Sequence, residues 1–495
     1  MRPRPETACS TKGWAMSVDT GATLLIDGQW RQGSASFEVV DPATLEPVGR
    51  VADGTAEDAR AALDAACAAF DAWRAVTVEE RGGYLRRAAA EIRAKLDTLA
   101  PLLTSENGKP LAEARGELLG SARMLEWSAE EARRAGGRVL PSAPNGPGLV
   151  VTAPVGPALA ITPWNFPASM LIRKIGLALA AGAPLIVKPA EQTPLIATEL
   201  VRILHDTGLP AGVLQSITTS RPAEVAGALL ADPRLRKVSF TGSTEVGLSL
   251  LRNTTTHLRR TSLELGGHSP AIVFADADLP AAAAGVVAAK FANAGQSCIA
   301  INRLFVHRSV HDELLALITA KVADLRVGRG TTEGTTIGPL IDHTALAKVE
   351  RHVEDAVAGG AEIHTGGKRW SGPAELKGAF YEPTVLTGVH DDMLVSREET
   401  FGPVLPVYVF DTDSEAVGRA NATDYGLAAY LFGKDLTRLW TAMDHLHFGV
   451  IGLNDPTPVR PELPFGGMHN SGQEREGGAE GIEAFQETKS VAIKL

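Results

Sequence analysis

The sequence predicts an α/β protein: a Rossmann-like domain on a parallel sheet, a second α/β domain, and a small β hairpin standing off the body. Three observations carry this expectation. Short apolar strands alternate with helices from Val155 to Leu265. The alternation resumes over residues 271–460. Between the N-terminal helices and the first block, Pro141, Pro144, Asn145, Gly146, Pro147 and Gly148 precede Leu149-Val150-Val151, a turn followed by a strand.

The elements follow in chain order. Met1 to Thr20 have neither an apolar segment nor periodicity, so residues 1–20 are expected to be a disordered tail, with Met16 a second candidate start. Residues 56–76 and 78–104 read as amphipathic helices rich in Ala, Arg and Glu. Strands are expected at Pro157–Thr162, Pro184–Lys188, Val213–Thr218 and Lys237–Phe240, with helices at Leu171–Ala181 and Thr193–Thr207. In the second block, Ala271–Phe274 is a strand, 280–293 and 309–325 are helices, and Leu405–Phe410 is a strand. The final strand, Ser490–Leu495, has no evident partner nearby. The first domain is therefore expected to comprise 21–135 and 155–270, and the second 271–470, with 136–154 and 471–495 as projecting segments.

Composition narrows the function. A chain of 495 residues is long enough for two large domains, and 44% hydrophobic with 21% charged residues suits a water-soluble enzyme. The net charge of −10 and the lack of a basic run argue against nucleic acid as a partner. No run of eighteen apolar residues occurs, so no membrane span is expected. The three cysteines, Cys9, Cys67 and Cys298, form no disulfide framework, which points to a reducing, cytoplasmic compartment. No metal is expected.

Three short strings carry chemistry. Phe291-Ala-Asn-Ala-Gly-Gln-Ser-Cys298 surrounds a thiol with small residues. Leu263-Glu264-Leu265-Gly266-Gly267 sets a carboxylate beside glycines, 34 residues upstream of the thiol. Thr162-Pro163-Trp164-Asn165-Phe166-Pro167 offers a side-chain amide at the end of a strand. A nucleophile, a base and an oxyanion donor together point to covalent catalysis.

Together these strings resemble the aldehyde dehydrogenase superfamily, over a span from about Leu24 to Leu495. The resemblance implies a cofactor domain, a catalytic domain and oligomerisation segments. It also implies oxidation of a small-molecule aldehyde to an acid with NAD or NADP as hydride acceptor. Cys298 would form a thiohemiacetal and then a thioester, Asn165 and the Cys298 N–H would hold the oxyanion, and Glu264 would activate water. A glutamate at this place separates the chain from the branch that transfers the acyl group to coenzyme A. Lys174 matches a lysine near the family's proton path. For the cofactor, Thr162, Pro163 and Trp164 line the strand end, and Gly242 and Ser243 open a helix suited to the pyrophosphate. Lys188 and Glu191 match the adenosine-ribose pair, and Glu399 and Phe401 the nicotinamide-ribose contact and ring support. Glu191 favours NAD over NADP, with Arg221 as a potential 2′-phosphate partner. The terminal strand would pair with a neighbouring subunit, giving a homodimer or homotetramer.

Further strings, among them Ile337-Gly338-Pro339-Leu340-Ile341-Asp342 and Asp424-Tyr425-Gly426-Leu427, look like succinate-semialdehyde dehydrogenases. That branch holds a remote carboxylate with two arginines and a serine. Arg173 carries over. The second arginine position is Ala292, and the loop before Pro464-Phe465-Gly466-Gly467 offers Val459-Arg460 in place of the serine. Arg460 is thus a candidate replacement cation, with Phe465 beside it. Ala300 stands where the branch often has a second cysteine, so no redox switch is expected. The alternatives are a dehydrogenase for an uncharged aliphatic or aromatic aldehyde, a catalytically silent binding paralogue, or a cysteine hydrolase, for which His268 is the nearest candidate base.

Overall fold

Strand order converts the alternation into two sheets. The computed structural model describes residues 18–19, 23–143, 146–254 and 257–494. The first sheet has eight strands, with Arg260–Glu264, Lys237–Thr241, Ala158–Ile161, Leu185–Lys188 and Leu214–Ser216 running parallel at its centre. These strands are buried along nearly their whole length, as a parallel sheet covered on both faces requires. The second sheet has seven strands, parallel except at the edge pair Glu362–Thr365 and Thr384–Thr387.

The first sheet's connections place the site. From Ala158–Ile161 the chain moves outward through the helix Pro167–Ala181 to Leu185–Lys188. It later returns to Lys237–Thr241 on the opposite flank of Ala158–Ile161. The carboxyl ends of these two neighbours diverge at a topological switch point, where open α/β sheets leave a ligand crevice. Residues 162–166 and 241–243 follow directly from those ends.

Several expectations are corrected. The predicted helix over 78–104 is two helices, Val78–Ala94 and Leu96–Asn107, broken at Lys95. A further helix, Leu111–Glu131, carries polar residues on its buried side, including Glu117, Ser121 and Ser128, which obscures its pattern in the sequence. Most of the 1–20 segment lies outside the described residues, as do Pro144 and Asn145 of the expected turn. Val18–Asp19, however, pair in parallel with Gly49 and Arg50, so the tail expectation fails at its end. The terminal strand is Gln486–Ala492, and it pairs antiparallel with Gly146–Pro154 of the same chain, so it does have an intrachain partner. Residues 471–485 do not join it. Gly472–Gln473 extend the first sheet beside Arg260–Glu264. Among the described residues no helix is long and apolar enough to cross a membrane.

Three helices of the first domain begin with proline and lack a side-chain cap of their own. Distant carboxylates cap two of them instead. Glu106, fully buried, accepts from Leu195 N and Ile196 N at 2.8 Å each, at the start of the helix Pro194–Asp206. Glu106→Leu should leave both N–H groups unpaired, at a cost of about 1–3 kcal/mol each. A lower urea midpoint, partly restored in Glu106→Gln, is the expected result; an unchanged midpoint for the leucine variant would remove Glu106 from the fold's essential contacts.

Candidate active site

The loop from Thr162 to Phe166 bridges the end of one strand and the start of a helix. Its main chain is held from outside. Asn107 Nδ2 donates to Trp164 O at 2.8 Å, and Asn165 O accepts from Lys109 Nζ and Asn293 Nδ2 at 2.9 Å each. The Asn165 side chain is buried and donates to Gln296 O at 3.1 Å, which leaves its second N–H free for a ligand. Asn165 and Cys298 line the same cleft, of about 260 Å³, together with Trp164, Met170, Gly242 and Phe401.

Cys298 follows a sharply wound turn. Asn293, Ala294 and Gly295 have φ of +49°, +55° and +73°. The Gln296 side chain fixes the turn by accepting from Ile341 N at 2.8 Å and donating to Asn293 O at 3.0 Å. A side chain at Gly295 would stand 2.2 Å from Gly402 O, and one at Gly267 would stand 2.2 Å from Cys298 O. Gly267 is therefore where the carboxylate string meets the thiol string, and Gly295 is where the thiol turn meets the 402–403 backbone. Burial, followed by the negative fields of Glu399 and Glu264, pushes the Cys298 thiol up to about 12, with Arg173 opposing.

Glu264 ends the strand Arg260–Glu264 and is 2% exposed, with neither carboxylate oxygen hydrogen-bonded. Burial and then repulsion from Glu476 raise its pKa well above the usual carboxylate range. The neighbouring arginines do not pair with it. Arg259 donates to Leu235 O and Asp232 O, and Arg260 pairs with Glu487. A side chain at Gly466 would come within 2.7 Å of Glu264 Oε1, so this glycine makes room for the carboxylate.

Lys174 is fully buried, not a solvated helix residue. Its Nζ pairs with Glu476 and donates to Ser239 Oγ at 2.9 Å. Burial works against ionisation of Glu476, yet Lys174 and then Arg173 hold its carboxyl below the usual range. Glu476 escaped the sequence reading because it lies 302 residues from Lys174.

The cofactor residues frame the cleft. Ser243 caps the helix Thr244–Asn253 by accepting from Val246 N at 3.3 Å. Thr241 Oγ1 is buried without a partner in the cleft wall. Phe401, at φ +55°, meets Trp164 edge to face at 5.6 Å. Glu399 accepts from Gly267 N at 2.9 Å, and burial raises its pKa to about 7. The orphaned hydroxyl, the glycine-lined wall and the helix start fit a dinucleotide. Pro163 lines the same cleft, while Thr162 is buried behind it. Lys188 and Glu191 pair at 2.5 Å. Arg221 is committed to Glu224 at 3.0 Å and Asp53 at 3.7 Å.

Arg173 is buried, its guanidinium carbon 4.8 Å from the Phe465 ring centre, and its Nη1 has no partner. Arg460 is not brought to this place. Its side chain is 59% exposed and pairs with Asp455 at 2.6 Å, so a closer carboxylate claims its charge. His268 is buried with its ring against Tyr425, and neither ring nitrogen bonds another side chain, so it does not serve Cys298 as a base.

The aldehyde dehydrogenase family model matches residues 30–491. Mitochondrial succinate-semialdehyde dehydrogenase of Rattus norvegicus is 47% identical over 470 residues, covering 94% of this chain and 89% of its own. Glutarate-semialdehyde dehydrogenase of Pseudomonas putida is 44% identical over 474 residues, covering 95% and 97%. Among solved structures, succinate-semialdehyde dehydrogenase from Burkholderia pseudomallei superposes with a TM-score of 0.94 at 44% identity, covering 97% of this chain and all of that one. Fold, site geometry and these likenesses agree, and the chain belongs to the aldehyde dehydrogenase family.

Proposed function

We propose that this chain oxidises a short aldehyde bearing a remote carboxylate, of the succinate- or glutarate-semialdehyde type, to the corresponding dicarboxylate. The observation that carries the substrate class is Arg173, a buried guanidinium with an unpaired Nη1 in a site otherwise dominated by carboxylates. A buried donor without an acceptor is costly, and a substrate carboxylate supplies one. The relatives' substrates agree with that charge.

Cys298 Sγ, as thiolate, adds to the aldehyde carbon. The new S–C bond leaves an alkoxide held by Cys298 N–H and the free N–H of Asn165. Bound NAD(P) supplies the hydride acceptor that turns this adduct into a thioester; Thr241, Gly242 and Ser243 would hold its pyrophosphate side, and Glu399 and Phe401 its nicotinamide side. Glu264 then takes a proton from water, the hydroxide oxygen attacks the thioester carbon, and the C–S bond breaks to release carboxylate and thiolate. The Lys174–Glu476 pair adjoins Glu264 electrostatically and is suited to pass that proton on.

NAD is the preferred cofactor. The family resemblance sets Glu191 at the adenosine ribose, and Arg221 pairs with Asp53 and Glu224. A like charge at 4 Å costs about 4 kcal/mol at an effective dielectric of 20, so kcat/KM should favour NAD; a ratio favouring NADP would overturn this. The edge strand Gln486–Ala492 supports assembly as a homodimer or homotetramer. The reduced thiols Cys67 and Cys298 support a cytoplasmic setting.

The substrate reading is tested with Arg173→Leu. Losing a charge-assisted hydrogen bond of roughly 1.5–3 kcal/mol should raise KM for succinate semialdehyde about 10- to 150-fold and leave butanal nearly unchanged. Arg460→Ala should change neither. Equal effects of Arg173→Leu on both aldehydes would instead favour an uncharged substrate.

Chemistry is tested separately. Cys298→Ala should abolish NADH formation while NAD still binds. Glu264→Gln should give one burst of NADH and then stall at the thioester. Steady turnover by either variant at the normal rate would sink the assigned role.

With its pKa pushed up to about 12, Cys298 is a neutral thiol at pH 7, and its thiolate fraction grows about tenfold per pH unit below that value. Alkylation of the cofactor-free enzyme by iodoacetamide should therefore climb steadily from pH 7 to 10. A plateau below pH 9 would mean that the resting thiol is already ionised.

A further inference from the structure

We propose that Lys109 is a positioning residue for the oxyanion donor Asn165, acting through a buried ion pair with Glu117; this rests on the oxyanion role given to Asn165 above. Lys109 is 1% exposed and its ammonium group is fully engaged. It pairs with Glu117 Oε2, donates to Asn165 O at 2.9 Å, and lies 4.1 Å from the centre of the Phe166 ring.

Glu117 uses its other oxygen on the same loop. Oε1 accepts from Ala168 N at 2.9 Å and Ser169 N at 3.0 Å, the first free N–H groups of the helix Pro167–Ala181. Phe166 stands at the cap position and has no side chain able to accept them. Lys109 and Glu117 thus hold both sides of Asn165: its own carbonyl and the helix that begins two residues later.

The main chain at Lys109 is itself confined. Gly108 is left-handed at φ +90°, closing the helix Leu96–Asn107. Side chains at Gly338 and Gly330 would stand 2.1 Å from Gly108 O and 2.3 Å from Lys109 O. The lysine therefore projects from a fixed point. Its loss leaves Glu117 as an unpaired buried charge and takes one of two donors from Asn165 O.

The test measures the single-turnover rate of NADH formation and the KM values. Lys109→Met should lower the rate at least about tenfold, toward the roughly 10²–10³ loss of a missing oxyanion donor, with KM for NAD within about twofold. Lys109→Met/Glu117→Gln removes both members of the pair, so it guards against misfolding caused by a stranded Glu117 and should show the same loss. In an Asn165→Ala background both changes should have less than about a twofold effect, because the group they position is gone. Losses that multiply in that background, or altered KM values at an unchanged rate, would overturn the proposal. A fully active Asn165→Ala would instead defeat the oxyanion reading itself.

Discussion

Main-chain contacts too close for a side chain hold this site together. Gly267 lies on the Cys298 carbonyl, Gly295 on the Gly402 carbonyl, and Gly338 on the Gly108 carbonyl. Each joins segments far apart in the chain, and Gly267 and Gly295 each bring residues of the cofactor wall against the thiol turn. A Cβ at any of them would collide with backbone, which cannot rotate away as a side-chain end can. The thiol, the carboxylate and the amide are therefore placed by rigid main chain, and their side chains need little freedom to reach one another.

That close packing sets the electrostatics. Glu264, Glu399 and Glu476 are buried within one region, and only Glu476 has a cation bonded to it. Burial disfavours the charged forms of both Glu264 and the Cys298 thiol. The charges that the reaction needs are disfavoured until a ligand or a proton path stabilises them. Fixed N–H donors aimed at a developing oxyanion are worth most in such a poorly solvated place, where water does not compete.

What the sequence disclosed follows from this geometry. Cys298, Glu264 and Asn165 were legible because each sits in a short string whose glycines or proline mark a main-chain constraint. The two alternating blocks were legible because buried parallel strands are short apolar runs. Lys109, Glu117 and Glu476 were not legible, since each acts on residues 51 or more positions away and no local spacing announces it. The helix Leu111–Glu131 was hidden because the residues that cap and brace the loop interrupt its apolar face. The terminal strand lacked a visible partner because its partner, Gly146–Pro154, lies more than three hundred residues earlier. Arg460 misled because a count of charges ignores which carboxylate is nearest.

The substrate argument then separates charge from length. On the proposed reading, one buried cation with a free donor would take one remote carboxylate, and Ala292 provides no second point of attachment. A single anchor fixes one end of the molecule, while Cys298 fixes the other. Chain length would then be read by apolar residues near these two points. Phe465 carries Arg173 on its face and also borders a cavity of about 210 Å³ lined by Ile451, Val459 and Leu463. A missing methylene in such an apolar wall is worth only about 1–3 kcal/mol, a weaker filter than a missing charge partner. On the proposed substrate class, a site built this way would reject neutral aldehydes more firmly than it distinguishes four-carbon from five-carbon semialdehydes, and residues of the 449–465 segment, rather than Arg173, would set that finer choice.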